Sequence, residues 1–234
     1  MTLVVAYLRL QVDLHRFKAL ALLFYGYLLP YLIFRVADRA QMPDHRPRLL
    51  VGLLLCSATL LVLRHVGHAM ESERTSAALA LVRTTPFSKR HYLAARGVES
   101  FALAAAPLLL TCLLARASNV WFAVTPRLVV SYGLWVLSLC ACAVCVSSAV
   151  KAPGSMQLLN VAALLTSTLC PLFYPAARTP QALRVVVDLL PPSLAMQAIT
   201  TAPPEAVVAL CPLAVWTVSL IALAVALCPW GAET

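Results

Sequence analysis

Three observations predict an all-α, polytopic membrane fold. Six long apolar stretches run through the 234 residues, and a polar, charged insert from His68 to Arg96 separates the second from the third. The chain is 62% hydrophobic and only 12% charged, with a mean hydropathy of +0.86. A core solvated by water has no use for that much apolar surface, so the bilayer is the main solvent. Backbone polar groups in hydrocarbon must be satisfied within the segment. The runs of Leu, Ala and Val lack the alternation of a barrel strand, so the spans are helices.

The chain opens on a mixed stretch, residues 1–18. Thr2, Arg9, Asp13 and Arg16 fall on one side of a helical wheel, with Val5, Leu8, Val12 and Leu14 largely elsewhere. That pattern predicts a helix lying in the membrane interface, with a frayed basic N-terminus as the alternative. Because Arg9, Arg16 and Lys18 are spread out and no small-residue cleavage site follows, the stretch is expected to be retained. Six spans follow: Ala19 to Phe34, Leu49 to Val66, Val98 to Ala115, Leu128 to Val150, Ser155 to Leu172 and Ala206 to Cys228. At 1.5 Å per residue each approaches the roughly 30 Å of the hydrocarbon core, the first being the shortest. Pro30, Pro107 and Pro212 fall inside spans, where a missing donor bends a helix; they are read as shape.

Orientation follows from Lys and Arg in the short loops. With both termini inside, a small majority of the 18 basic residues falls on the cytoplasmic side, including all three lysines and the basic loop from Arg74 to Arg96. The formal charge of +9 reads as headgroup contact on both faces and not as a nucleic-acid patch, because no basic soluble domain with interleaved aromatics is present.

Residues 70–86 form a segment of their own. Glu71 and Glu73 stand at the front of a helix-competent run, where they complement the positive helix end, and Arg83 lies in its last turn before Thr85-Pro86 stops it. This predicts a short cytoplasmic helix between the second and third spans. In order and spacing, Glu73-Arg74, Leu79, Leu81, Thr85-Pro86, Ser88-Lys89-Arg90 and Tyr92-Leu93 resemble the cytoplasmic loop of the membrane subunit of type-2 ABC exporters, a class that moves drugs, lipids, polysaccharides and peptides. Ala77-Ala78 replaces that family's Gly-Thr pair.

A second match follows the fifth span, in residues 173–203. Pro171-Leu-Phe-Tyr-Pro175, Thr179-Pro180-Gln-Ala-Leu183-Arg184 and Leu190-Pro191-Pro192-Ser193 resemble that family's external re-entrant segment, with the last group as its ending. Tyr174 stands where Phe is usual, and Thr179 where Leu is usual. Periodicity points the same way: Pro180 suits a helix start, and Leu183, Val186, Val187 and Leu190 recur at steps of three and four, giving a short apolar-faced helix. An ordinary Pro-rich loop is the alternative.

Residues for chemistry are few. No phosphate-binding Gly-x-x-x-x-Gly-Lys-Ser/Thr loop occurs, so no catalytic residue is assigned and no cofactor is expected on this chain. The 8 cysteines lie almost entirely in spans and read as packing; Cys142 and Cys145 form a CxxC in spacing only. His65, His68 and Glu71 recur every third residue, but steps of three rotate side chains apart by about 60° each, so no metal site is expected. Glu99, at the start of the third span, has two readings: a carboxylate neutralised by Arg96 one turn earlier, or one facing a substrate path. Gln157 and Asn160 on the fifth span suit interhelical hydrogen bonds.

The resemblance therefore implies that residues 1–234 are a single permease domain, the membrane half of an ATP-driven exporter. Two copies would work with two separate ABC ATPase subunits, which carry the ATP and Mg. Glu71, Glu73, Arg74, Leu79, Arg83 and Pro86 would couple the chain to the ATPase. Aromatic and apolar walls with a few polar groups suit amphipathic cargo, so the expected substrate path is lined by Tyr25, Tyr27, Tyr31, Leu55, Glu99, Asn160 and Leu164. A membrane-embedded lipid-processing enzyme would need a convergent acid, base or metal set, and Glu99, Asp188 and the histidines are scattered. An ion-coupled carrier would need more intramembrane carboxylates and an internal repeat.

Overall fold

A computed structural model describes residues 27–28, 31–32, 34–35, 46–75, 88–120, 122–150, 154–174, 179–201 and 203–228. The expected interface helix at 1–18, most of the first span with Tyr25 and Pro30, and the stretch containing Leu79, Arg83 and Pro86 lie outside these residues. Seven helices with defined bounds stand among the described residues: α1 (Arg46–Thr75), α2 (Lys89–Ala117), α3 (Pro126–Ala149), α4 (Gly154–Leu169), α5 (Gln181–Asp188), α6 (Pro191–Thr200) and α7 (Pro203–Leu227). No strand occurs among them, in keeping with the all-α class.

Local chemistry sets the ends. Ser88 caps α2 by accepting from His91 N, and Thr125 caps α3 by accepting from Leu128 N, with Pro126 at the first helical position where its missing N–H is harmless. Asn119 closes α2 with φ of 52°, the left-handed conformation that Asn tolerates. Its N–H donates to Arg116 O (3.2 Å) and Val120 N donates to Ala115 O (2.9 Å), the two bonds of a Schellman cap. α2 and α7 run unbroken through Pro107 and Pro212. In the turn around Pro107, Tyr132 Oη donates to Ala104 O (2.8 Å) from the neighbouring α3.

α1 and α3 form the centre. α1 packs against α2, α3, α4 and α6; α3 packs against α1, α2, α4, α6 and α7. The most apolar stretch of α1 is 89% buried, whereas those of α2 and α7 are 28% and 22% buried. The outer two therefore leave wide apolar surfaces outside the bundle, among them Leu109 and Leu113 on α2 and Val208 and Val218 on α7. Small residues and hydroxyls join the helices. A side chain at Gly52 would meet the Leu172 carbonyl, and Ser138 Oγ and Thr217 Oγ1 share a hydrogen bond at 2.8 Å between α3 and α7.

The six expected spans are met in part among the described residues. Among the described residues four helices, α1, α2, α3 and α7, are long and apolar enough to cross a membrane; α5 and α6, bent by 80° at their junction, make a fifth if taken as one broken span. The expected span from Ser155 to Leu172 is helical only as α4, whose 16 residues reach about 24 Å. It stops before Cys170-Pro171, because a residue preceding proline is pushed out of the helical region. α1 also outruns its expected end at Val66, so Met70 to Thr75 continue the second span instead of starting a separate helix. The segment after α4 contains two helices: α5, which starts directly after Pro180, and α6, which begins at Pro191-Pro192, where the sequence suggested an ending. Prolines suit the first turn of a helix as well as the stretch beyond its end, and here they do the former.

Candidate functional site

The polar residues at the last turns of α1 and the first turns of α2 find one another. Tyr92, Arg96 and Glu99 recur at steps of four and three on α2, which places them on one face, towards α1. Arg96 is fully buried, and its guanidinium forms ion pairs with Glu73 on α1 and with Glu99 one turn along its own helix. Tyr92 Oη donates to the other oxygen of Glu73 (2.7 Å), and the Arg96 guanidinium lies 5.4 Å from the Tyr92 ring centroid. His65 Nε2 lies 2.7 Å from Glu99 Oε1, which ties α1 to α2 through this second carboxylate as well. Ser100 Oγ donates to Arg96 O (2.8 Å) beneath the cluster.

Two carboxylates flank one guanidinium, so each charge is paired and hydrogen-bonded where hydration is lost. Without partners such charges would cost several kcal/mol in a low-dielectric site. The planar fork of Arg suits bridging two carboxylates, a task a lysine would perform less well. The cluster joins α1 and α2 just where the chain leaves for residues 76–87 and returns.

Arg74, next to Glu73, turns to the opposite neighbour. Its guanidinium donates to the carbonyls of Ser147, Ser148 (3.2 Å) and Val150 (3.3 Å), the orphan acceptors at the C-terminal end of α3. Three helix ends are thus fastened side by side. Glu73 and Arg74, expected to offer charge to another subunit, turn into the bundle, since their partners lie on α2 and α3. Glu71 is half-buried on the same turn.

The residues expected along a substrate path do not share one wall. Leu55 is fully buried in the core, and its carbonyl accepts from Trp135 Nε1 (3.5 Å), because α1 has neighbours on every side. Glu99 belongs to the charge cluster, as the neutralised reading anticipates. Tyr27 and Tyr31 are half-buried against Leu49, Leu50, Leu53 and Ala115, at the other end of α1. Asn160 and Leu164 lie on the exposed face of α4, with Gln157; Leu159 and Ala163 form its buried face. Tyr92 and His65 are the partners that the sequence reading missed as such. The spacing of Tyr92, Arg96 and Glu99 on one face was the available signal.

The family model described as ABC-2 family transporter protein matches residues 40–228, a stretch that takes in all seven helices. No curated protein matches the chain.

Proposed function

Because the chain belongs to the ABC-2 family of transporter proteins, and is a multi-pass cell-membrane protein of that class, we propose that it is the permease of an ATP-driven exporter. Its cargo is hydrophobic or amphipathic: a drug, lipid or peptide. Two copies act with two ABC ATPase subunits, which hold the ATP and Mg. A crossing within residues 19–34 and one at α4 complete six, with both termini on the ATPase side.

The observation that carries this reading is the Arg96 cluster. An ATPase pressing on the 70–86 segment moves α1 and α2 as one body, because Glu73, Arg96, Tyr92, Glu99 and His65 lock their ends together. Arg74 passes the displacement to α3, and the close packing of α1 spreads it through the bundle. Glu71, Leu79, Arg83 and Pro86 meet the ATPase directly, whereas Glu73 and Arg74 act as positioning residues. Rigid-body tilting of packed helices then opens the path to alternate sides.

The test is reconstitution of the permease with its ATPase in proteoliposomes. Leu79→Asp, which puts a charge on the docking segment, should weaken ATPase association at least about tenfold, or about 1.4 kcal/mol, and lower export in step. Arg184→Ala, on the exposed face of α5, should change neither. Unimpaired association and export by Leu79→Asp would refute the coupling reading.

A further inference from the structure

At the end of α1 away from the charge cluster, a cavity of about 500 Å³ opens between the first turns of α1 and α3 and the last turn of α6. Arg48 and Arg127 line it, together with Val51, Phe122, Ile199 and Thr201. Twenty-six residues of helix separate Arg48 from Arg74, or about 40 Å, so this cavity is remote from the site above.

The charge here is one-sided. Neither α1 nor α3 carries an acidic residue in its first turn, yet each carries arginine there, on top of the positive end of the helix dipole. Among the described residues no carboxylate lines the cavity and none forms an ion pair with Arg48 or Arg127. Arg127 is partly used: its Nη1 donates to Thr201 O (2.7 Å) and its Nη2 to Ile199 O (3.0 Å), which answers the carbonyl end of α6. Arg48 is barely used. A single long bond reaches Pro171 O (3.5 Å), and its Nε is buried without an acceptor. A guanidinium has five donors, so most of those of Arg48 remain for a ligand.

The geometry points to a binding site for an oxyanion of the phosphate class, held by Arg48 and completed by Arg127 and the two helix starts. Apolar walls beside the two cations suit an anion joined to an apolar body, as a phospholipid headgroup is. The same donors would also take free phosphate.

Full-length protein in neutral detergent is titrated with short-chain phosphatidylglycerol, with phosphatidylcholine, and with inorganic phosphate against chloride at equal ionic strength. Thermal unfolding and native mass spectrometry are the readouts. Wild type should retain phosphatidylglycerol in preference to phosphatidylcholine and be stabilised by it. The half-saturating concentration should rise about tenfold in Arg48→Gln, the worth of one charge-assisted bond. Arg48→Lys should keep most of the response, and Arg184→Gln all of it. Stabilisation by inorganic phosphate as well would assign the site to the oxyanion itself; stabilisation by phosphatidylglycerol alone would assign it to a lipid headgroup. Equal retention of the two lipids by wild type, with no effect of phosphate, would overturn the proposal without recourse to any variant. So would an Arg48→Gln response equal to that of wild type.

Discussion

Substituting three helical glycines with alanine should give three different answers, and the structure fixes their order. A Cβ at Gly52 would stand 2.2 Å from the Leu172 carbonyl oxygen and 2.9 Å from its carbon. Both are backbone atoms, so no rotamer change relieves the clash, and the 170–174 strap must retreat by about 1 Å or more to regain ordinary contact. Overpacking of this kind costs about 1–3 kcal/mol, and a clash with backbone belongs at the upper end. Alanine returns about 1 kcal/mol through helix propensity, leaving a net loss of about 2 kcal/mol. A Cβ at Gly67 would meet Leu159 Cδ1 at 2.3 Å, the far end of a flexible side chain, although a buried one. Its loss should be about 1 kcal/mol or less. Nothing lies within 4 Å of a Cβ at Gly97, so only the propensity gain survives and Gly97→Ala should stabilise by up to about 1 kcal/mol. Buried free thiols such as Cys56, Cys140 and Cys170 provide the assay, since a thiol-reactive fluorophore reports their exposure on heating. A Gly52→Ala protein as heat-resistant as Gly97→Ala would refute the close approach of α1 to the strap.

Two further predictions test other parts of the molecule. Arg96→Met leaves Glu73 and Glu99 buried without their cation and should destabilise by about 3–5 kcal/mol, whereas combining it with Glu73→Gln and Glu99→Gln should recover most of the loss; the same thermal assay decides, and a single variant within about 1 kcal/mol of wild type would show that the cluster is solvated. In a cysteine-free background, reporter cysteines at Ser76, Ser118 and Gln181 should label from the inside, outside and outside of intact cells respectively, and labelling of the Ser76 position from outside would invert the topology.

The all-α class and the centres of the spans that became α1, α2, α3 and α7 were legible from apolar runs alone, because each residue there acts on its own through its transfer free energy. Helix ends were not. Glu73, Tyr92 and Arg96 look like polar residues of the connection between two spans when taken singly, and with His65 they sit on two long packed helices because they satisfy one another across a gap of many residues in the chain. The paired prolines at 191–192 were ambiguous for a different reason: proline marks the start of one helix and the aftermath of another with equal ease. Which face a span residue takes was the least legible part. Leu55 and Leu164 are the same residue type in the same kind of span, yet one is enclosed by neighbouring helices and the other faces outwards, a difference that arises only from packing.

The mutual satisfaction of Glu73, Arg96, Glu99 and His65 also bears on how the chain is made. Until Arg96 has left the ribosome, Glu73 of a newly synthesised α1 lacks the cation it pairs with in the bundle, and α2 carries Arg96 and Glu99 within its first turns, charges that a lone helix would have to bring into lipid. Neither is a good solitary guest of the bilayer, while as a hairpin they conceal each other's charge. Biogenesis should therefore treat them as one unit. A chain truncated after Thr75 should integrate poorly, and one extended through Ala117 should integrate well, with Arg96 setting the difference.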